Sequence, residues 1–230
     1  MSRYDFHIHG EYSLDSEIAF DECVTRAIGR GYAQIAFSEH FDYLPVDVVE
    51  YGMPPYAAYV KRIDALRESY RDSIDILLGA EIGDCHRTGA FVDELFLVRR
   101  PDVVIGSVHR LSDGLNVSVP MDQPLDKGRV LDYYRENLAL SEMAPVDILG
   151  HLGIYKRFYS HIPDESYAAP LVDRILAALI RRGIALEVNY SPMRKTYGRF
   201  LPDAGVIRHF LGMGGRLITV GSDAHSIDDF

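Results

Sequence analysis

The sequence predicts an α/β fold in which parallel strands are covered by helices. Short apolar runs alternate with helix-period segments from one end of the chain to the other. The alternation repeats seven times, and no tract rich in Gly, Ser or Pro interrupts it. Strands buried on both faces read as near-continuous apolar runs, which is the form seen here. A closed barrel and an open doubly wound sheet both satisfy this pattern, within a single domain spanning 1–230.

The strand candidates are residues 4–9, 34–38, 75–80, 103–108, 146–150, 184–189 and 217–221. Between the first two, residues 18–31 place Phe20, Val24, Ala27 and Ile28 on one face, with Gly31 set to stop the helix. Residues 56–70 repeat Tyr56, Tyr59, Val60, Ile63, Leu66 and Tyr70 at helical spacing. Segments 91–99, 130–143, 167–182 and 203–213 behave in the same way. The connections 41–55 and 112–127 are long enough to shape an active site.

Lys and Arg total 24 against 34 Asp and Glu, a net charge of −10. That balance argues against a duplex nucleic-acid or anionic-membrane partner, which would need a basic face. A small phosphorylated substrate stays open, because metals or a local arginine pair can supply positive charge. At 47% hydrophobic and 25% charged residues, general disorder is excluded. Cys23 and Cys85 form no CxxC pair and no secreted disulfide framework, so a reduced, cytoplasmic setting is expected. The N-terminal segment has no apolar signal core, and no apolar run reaches a membrane span.

Ligands bind at the carboxyl ends of parallel strands in both candidate architectures. Five of the seven strand candidates end in, or within four residues of, a histidine: His9, His40, His109, His151 and His225. With nine histidines in 230 residues, five such coincidences arise by chance on the order of once in a thousand. In FHIH, His7 and His9 lie two apart on a strand and so face the same side. Glu81 ends a buried strand, where an ionised carboxylate needs cations or donors nearby. GSDAH adds Asp223 and His225. Each piece alone has a plainer reading, as a buried hydrogen-bonded histidine or, for Asp223, a helix N-cap. Together, imidazoles and carboxylates suit Zn, Fe or Mn, whereas calcium would want oxygen alone. These eight candidate ligands exceed one ion and fit two or three. His86, His161 and His209 lie off the strand ends and carry no assigned role, and Cys85 reads as packing.

FHIHGEYSLDS, SEH, GAE, GSVH, GHLG and GSDAH, in this order, resemble the polymerase-and-histidinol-phosphatase (PHP) superfamily. YKRF after GHLG, and LEVNYSPMRK further on, look like its histidinol-phosphatase branch. The resemblance runs over the whole chain. It implies a distorted (β/α)7 TIM-like barrel with a trinuclear site at the carboxyl end of the strands. By the same resemblance His7, His9, Glu81 and Asp223 hold a first metal, and Glu81, His109 and His151 a second. His40, His225 and position 15 hold the third. Many family members carry histidine at that position and this chain has Asp15, a harder ligand more tolerant of Mn or Fe. Relatives normally continue through another helix after the last ligands, whereas this chain stops at Phe230. The expectation is either a truncated sequence or a barrel left without its final C-terminal helix.

The chemistry expected is attack on phosphorus by a hydroxide bridging two metals about 3.5 Å apart, in line with the leaving alkoxide. Arg157 and Arg194 are the expected phosphate clamps, because a planar guanidinium can bind two oxygens at once. Lys156, Lys195 and Arg199 are their possible replacements. Glu187 and Asn189 share the inward face of the sixth strand, where they orient a ligand histidine or touch substrate. Asp42, beside His40, is expected to meet a cationic part of the substrate. L-histidinol phosphate is the favoured substrate, making the chain an enzyme of histidine biosynthesis. The rivals are a nucleotide or phosphodiester substrate, a metal-dependent amidohydrolase, and a non-catalytic metal-binding regulatory domain.

Overall fold

The computed structural model describes residues 3–121 and 123–230. Seven strands form one sheet in sequential order, and every neighbouring pair is parallel. They are β1 (Arg3–Ile8), β2 (Tyr32–His40), β3 (Asp75–Gly83), β4 (Val103–Ser107), β5 (Ile148–Leu149), β6 (Ala185–Asn189) and β7 (Ile218–Gly221). The first and last strands meet just beyond β7. Ile8 bridges Ala224, His9 N–H donates to the Ala224 carbonyl (3.0 Å), and Asp223 N–H donates to the His7 carbonyl (2.8 Å). The sheet is therefore a nearly closed barrel rather than the open alternative.

All six expected helices are present: α1 (Phe20–Gly29), α3 (Tyr56–Tyr70), α4 (Gly89–Val98), α5 (Lys127–Met143), α6 (Ala169–Arg182) and α7 (Ala204–Gly212). Asp126 caps α5 by accepting from Arg129 N–H, and Asp203 caps α7 by accepting from Gly205 and Val206 N–H. Gly183 ends α6 in the left-handed conformation. The connection 41–55 is not wholly irregular, for it contains a short helix, α2 (Pro45–Tyr51). Proline at its first turn fixes a helical φ and gives up an N–H that would be unpaired anyway. The connection 112–127 carries no helix or strand among its described residues before Lys127, where α5 begins; position 122 lies outside them. No helix follows β7 among the described residues, and Phe230 is buried against Tyr32.

The core has two parts. The larger fills the space between sheet and helices, with Phe20, Phe37, Tyr59 and Ile63 among its buried members. The smaller consists of Val103, Ile105, Ile148 and Ala185, with Leu77 and Phe6 packed against it. Alternation along a strand keeps i and i+2 on one face. Leu77 therefore shares its face with Glu81, Ile105 with Ser107, and Ala185 with Glu187. The inward face changes from apolar to polar towards the carboxyl ends, which places a floor beneath a layer of functional groups.

Candidate active site

Glu81 is the centre of the polar layer. Its Oε2 lies 3.4 Å from His7 Nε2, 3.5 Å from His9 Nε2 and 2.9 Å from His40 Nδ1. Its Oε1 lies 2.8 Å from His151 Nε2 and 3.4 Å from His109 Nε2, and accepts from the Ser107 hydroxyl (2.5 Å). β3 runs on to Gly83, so Glu81 sits inside the strand and fully buried. Asp223 Oδ1 closes the far side, 3.8 Å from His7 Nε2, 3.4 Å from His9 Nε2 and 3.5 Å from His225 Nδ1. Asp223 has φ 51°, a left-handed backbone that costs a non-glycine residue about 1–3 kcal/mol. Asp15 Oδ2 reaches His225 Nε2 (3.3 Å) and His40 Nε2 (3.6 Å) at the exposed edge. Side chains from β1, β2, β3 and the loops after β1, β4, β5 and β7 thus meet around one carboxylate.

The donor set fits divalent cations. His7 Nε2, His9 Nε2, His40 Nδ1 and Glu81 Oε2 are buried and make no hydrogen bond, although they face one another. Buried polar atoms without partners are costly, and cations among them would supply those partners. Three groups from this set have ligand atoms within 4.8 Å of one another: His7 with Glu81 and His151, His7 with His9 and Asp223, and His9 with His40 and His225. A fourth such group is His40 with Asp42 and His109.

Charge points the same way. Burial pushes the Glu81 carboxyl up, but the imidazoles of His7, His109 and His40 overcome it and hold it well below the usual range. Burial likewise opposes ionisation of Asp223, and His7 and His9 overcome it. Burial acts to lower His7, yet Glu187 and Glu81 raise it well above the ordinary value. Burial and the neighbouring His40 and His225 lower His9. His109 is lowered by burial but carried up to about 10 by Asp42 and Glu81. The metal-free cluster balances its carboxylates with protons, and cations of the Zn, Mn or Fe type would take their place.

Behind these side chains stands a second layer. Glu187 Oε1 lies 2.6 Å from His7 Nδ1, while its Oε2 accepts from His151 N–H (2.6 Å) and from Asn189 Nδ2 (3.2 Å). Asp42 Oδ1 lies 2.9 Å from His109 Nδ1. The Ser191 hydroxyl donates to Asp223 Oδ2 (2.8 Å), and the Ser191 backbone N–H donates to Asn189 Oδ1 (3.0 Å). Asn189 is therefore fully buried behind the ligands rather than on the cleft wall, with both ends of its amide occupied. Asp42 lines the cleft as well as touching His109.

The cleft above the rim is about 330 Å³, within the usual range for small-molecule sites. Its walls include Tyr12, Asp47, Tyr51, Asn116, Ser118 and Arg157. Arg157 Nη1 lies 3.6 Å from Asp223 Oδ2, Nη2 donates to the Ser118 carbonyl, and Nε is buried without a partner. Arg194 does not line the cleft. It donates to the carbonyls of Ser222 (2.8 Å) and Asp223 (3.2 Å) and pairs with Asp229 (2.8 Å), bracing the loop that carries Asp223. Lys156 is paired with Glu165 (2.6 Å) away from the rim, and Lys195 and Arg199 also lie outside the cleft lining. Cys85 is buried, its thiol pushed up to about 12 chiefly by burial, as a packing residue should be. His86 pairs with Glu136 and His209 with Asp173, each at 2.8 Å. Asp47, Tyr51, Asn116 and Ser118 carried no motif, and only their place on the wall identifies them.

No helix among the described residues is long and apolar enough to cross a membrane. A histidinol-phosphatase of Lactococcus lactis subsp. lactis (strain IL1403) is 30% identical over 98% of this chain and 85% of its own length. A histidinol-phosphatase of Bacillus subtilis (strain 168) is 24% identical over 100% of this chain and 96% of its own. Among solved structures, a histidinol phosphate phosphatase from Lactococcus lactis, complexed with zinc, L-histidinol and phosphate, superposes with a TM-score of 0.82 at 27% identity. That match covers 98% of this chain and 87% of the other. The family model described as the PHP domain matches residues 5–191. With seven parallel strands in a nearly closed barrel and a histidine–carboxylate rim at their carboxyl ends, this chain belongs to the PHP domain family.

Proposed function

We propose that this chain is a metal-dependent phosphomonoesterase that converts L-histidinol phosphate to L-histidinol and phosphate. The observation that carries the reading is the convergence of unpartnered buried atoms from His7, His9, His40 and Glu81 beneath the cleft. Two or three divalent ions, Zn, Mn or Fe, fit this set. His7, His9, Glu81 and Asp223 would hold one, Glu81, His109 and His151 another, and Asp15, His40 and His225 a third. Divalent cations so placed lower the pKa of a bound water towards neutrality and offset charge on phosphoryl oxygens.

The protein's own groups do the rest. Glu187 and Asp42 fix two ligand imidazoles from behind, which keeps their free nitrogens aimed at the rim. Arg157 offers its fork to the phosphoryl oxygens as charge redistributes between the attacking and leaving atoms. In hydrolysis the water oxygen bonds to phosphorus, the P–O bond to the alcohol breaks, and a proton passes to the departing alkoxide. Among the described lining residues Arg157 is the one arginine, facing Asp15, Asp42, Asp47, Glu81 and Asp223. Asp42 and Asp47, the lining acids outside the proposed ligand set, suit a substrate that carries a cationic amine beyond its phosphate.

The test compares turnover of L-histidinol phosphate, nucleoside monophosphates and a phosphodiester by the zinc- or manganese-loaded protein. Fast release of phosphate from L-histidinol phosphate, inhibited competitively by inorganic phosphate, is expected. Negligible turnover of it beside rapid nucleotide or diester hydrolysis would contradict the substrate. Indifference to inorganic phosphate would favour amide hydrolysis, and tight metal binding without any hydrolysis would favour a regulatory domain.

A further inference from the structure

We propose that Ser13 and Glu39 form a positioning pair for the ligand imidazole of His9, holding it with Nδ1 protonated and Nε2 turned to the metal position. Nothing in the proposed reaction uses either residue, yet both are buried beside the rim. The Ser13 hydroxyl donates to Glu39 Oε2 at 2.5 Å. A serine hydroxyl has one proton and two lone pairs. With Glu39 as a carboxylate taking that proton, the oxygen can only accept from its other two neighbours, His9 Nδ1 at 3.3 Å and the His40 N–H at 3.1 Å. The proton between Ser13 and His9 therefore belongs to His9 Nδ1. That leaves the lone pair on Nε2, the buried unpartnered atom 3.5 Å from Glu81 and 3.4 Å from Asp223.

The arrangement completes a pattern in the site. His7 is backed directly by Glu187 and His109 directly by Asp42, whereas His9 is backed by a carboxylate one hydroxyl further away. The same hydroxyl also holds the backbone of His40, so it ties a ligand just after β1 to one at the end of β2. Ser13 reaches this point through a tight turn in which its N–H donates to the Gly10 carbonyl (3.1 Å). Gly10 permits the turn, since a Cβ there would lie 2.2 Å from the Phe20 ring and 3.2 Å from Glu39 Oε1.

The inference rests on the rim being a metal centre, and the experiment separates the two. Zinc affinity of the apo-protein is measured by competition with a chromophoric chelator for the natural sequence, Ser13→Ala, Ser13→Thr and Glu39→Gln. In parallel, 15N NMR of the zinc-loaded natural protein reads the His9 tautomer. Ser13→Ala and Glu39→Gln are expected to weaken at least one zinc-binding step by about ten- to hundredfold. Ser13→Thr, which keeps the hydroxyl, is expected to stay within about threefold, and His9 to carry its proton on Nδ1. Should Glu39→Gln not fold, Ser13→Ala and the tautomer decide alone. Affinities unchanged by loss of the hydroxyl, or a proton on Nε2, would overturn the positioning pair. A natural protein that takes up no zinc would instead overturn the metal centre beneath it.

Discussion

Glu187 stands directly behind His7, its Oε1 2.6 Å from Nδ1, and with its other oxygen accepts the backbone N–H of His151. One carboxylate on β6 thereby sets the ring of a side chain on β1 and the chain path after β5. Replacing it by glutamine keeps the size but removes the charge that raises His7. Glu187→Gln is expected to lower metal affinity and kcat by about ten- to hundredfold. Chelator competition and steady-state rates check it, and rates within threefold of the natural protein would count against this role.

Gly83 and Gly221 are spaces that the ligand layer needs. A Cβ at Gly83 would lie 1.6 Å from Asp42 Oδ1 and 2.8 Å from His109 Nδ1, so it would enter the pair they form. At Gly221 it would lie 2.2 Å from Glu187 Oε1 and 2.5 Å from His7 Cβ. Gly83→Ala and Gly221→Ala should each lower metal-dependent turnover about tenfold or more. Gly29→Ala, where no atom lies within 4 Å of the new methyl, is the matched control.

How much of this was legible follows from what sequence encodes. Buried parallel strands write themselves as apolar runs, so β1, β3, β4 and β6 fall where the runs do. β5 shrinks to Ile148–Leu149, although Asp147 before it still bonds both neighbours, its N–H to the Val104 carbonyl and its carbonyl to the Ala185 N–H, each at 2.9 Å. Eight of the imidazole and carboxylate groups stand out because strand ends are fixed points in this architecture, whereas Asp15, beyond the end of β1, came only from the family resemblance. α2 is two turns long, too short for periodicity to declare it. Asn189 sits on β6 and Arg194 follows that strand, as expected, but their side chains turn towards the ligand layer and the β7 loop, a direction no spacing records. Ser13 and Glu39 lay inside motifs already quoted, and only the distance between their oxygens gives them a role.

Arg110 follows His109 and anchors α2 over the cleft. Nε donates to Asp47, Nη2 to Glu50 (2.9 Å) and Nη1 to the Gly114 carbonyl (3.2 Å). Asp47 and Tyr51 of that helix line the wall. Arg110→Ala strands the buried Asp47 carboxylate, at about 3 kcal/mol for a broken buried pair, or a Tm lower by about 6–12 °C. The looser wall should also raise KM more than it lowers kcat. A thermal melt and substrate saturation curves test both.

Arg157 and Arg194 should separate kinetically. Arg157→Ala removes the fork facing the cleft, so KM for a phosphate ester and Ki for inorganic phosphate should both rise about tenfold or more. Arg194→Ala loosens the loop of Asp223 and should act on metal retention and kcat, with phosphate inhibition nearly unchanged. Equal loss of phosphate affinity in the two variants would contradict the placement.

Metal uptake should release protons. In the metal-free protein His109 lies at about 10, above the ordinary 6.5 of the free side chain. Its contribution to stability is complete below pH 6.5 and is lost as pH rises through about 10. At pH 7.5 the apo-protein therefore holds a proton there that a cation must displace. Calorimetry of zinc binding in buffers of different ionisation enthalpy should show net proton release, and affinity should fall as pH is lowered. A binding enthalpy independent of buffer would contradict it.

The most direct measurement is anomalous diffraction, at the zinc and manganese edges, from crystals of the metal-loaded protein, with the ions counted independently by elemental analysis. Two or three peaks are expected within a few ångströms of Glu81, each with imidazole and carboxylate atoms at about 2.0–2.2 Å. Peaks elsewhere on the surface, with His7, His9 and Glu81 still facing one another and holding no ion, would contradict that.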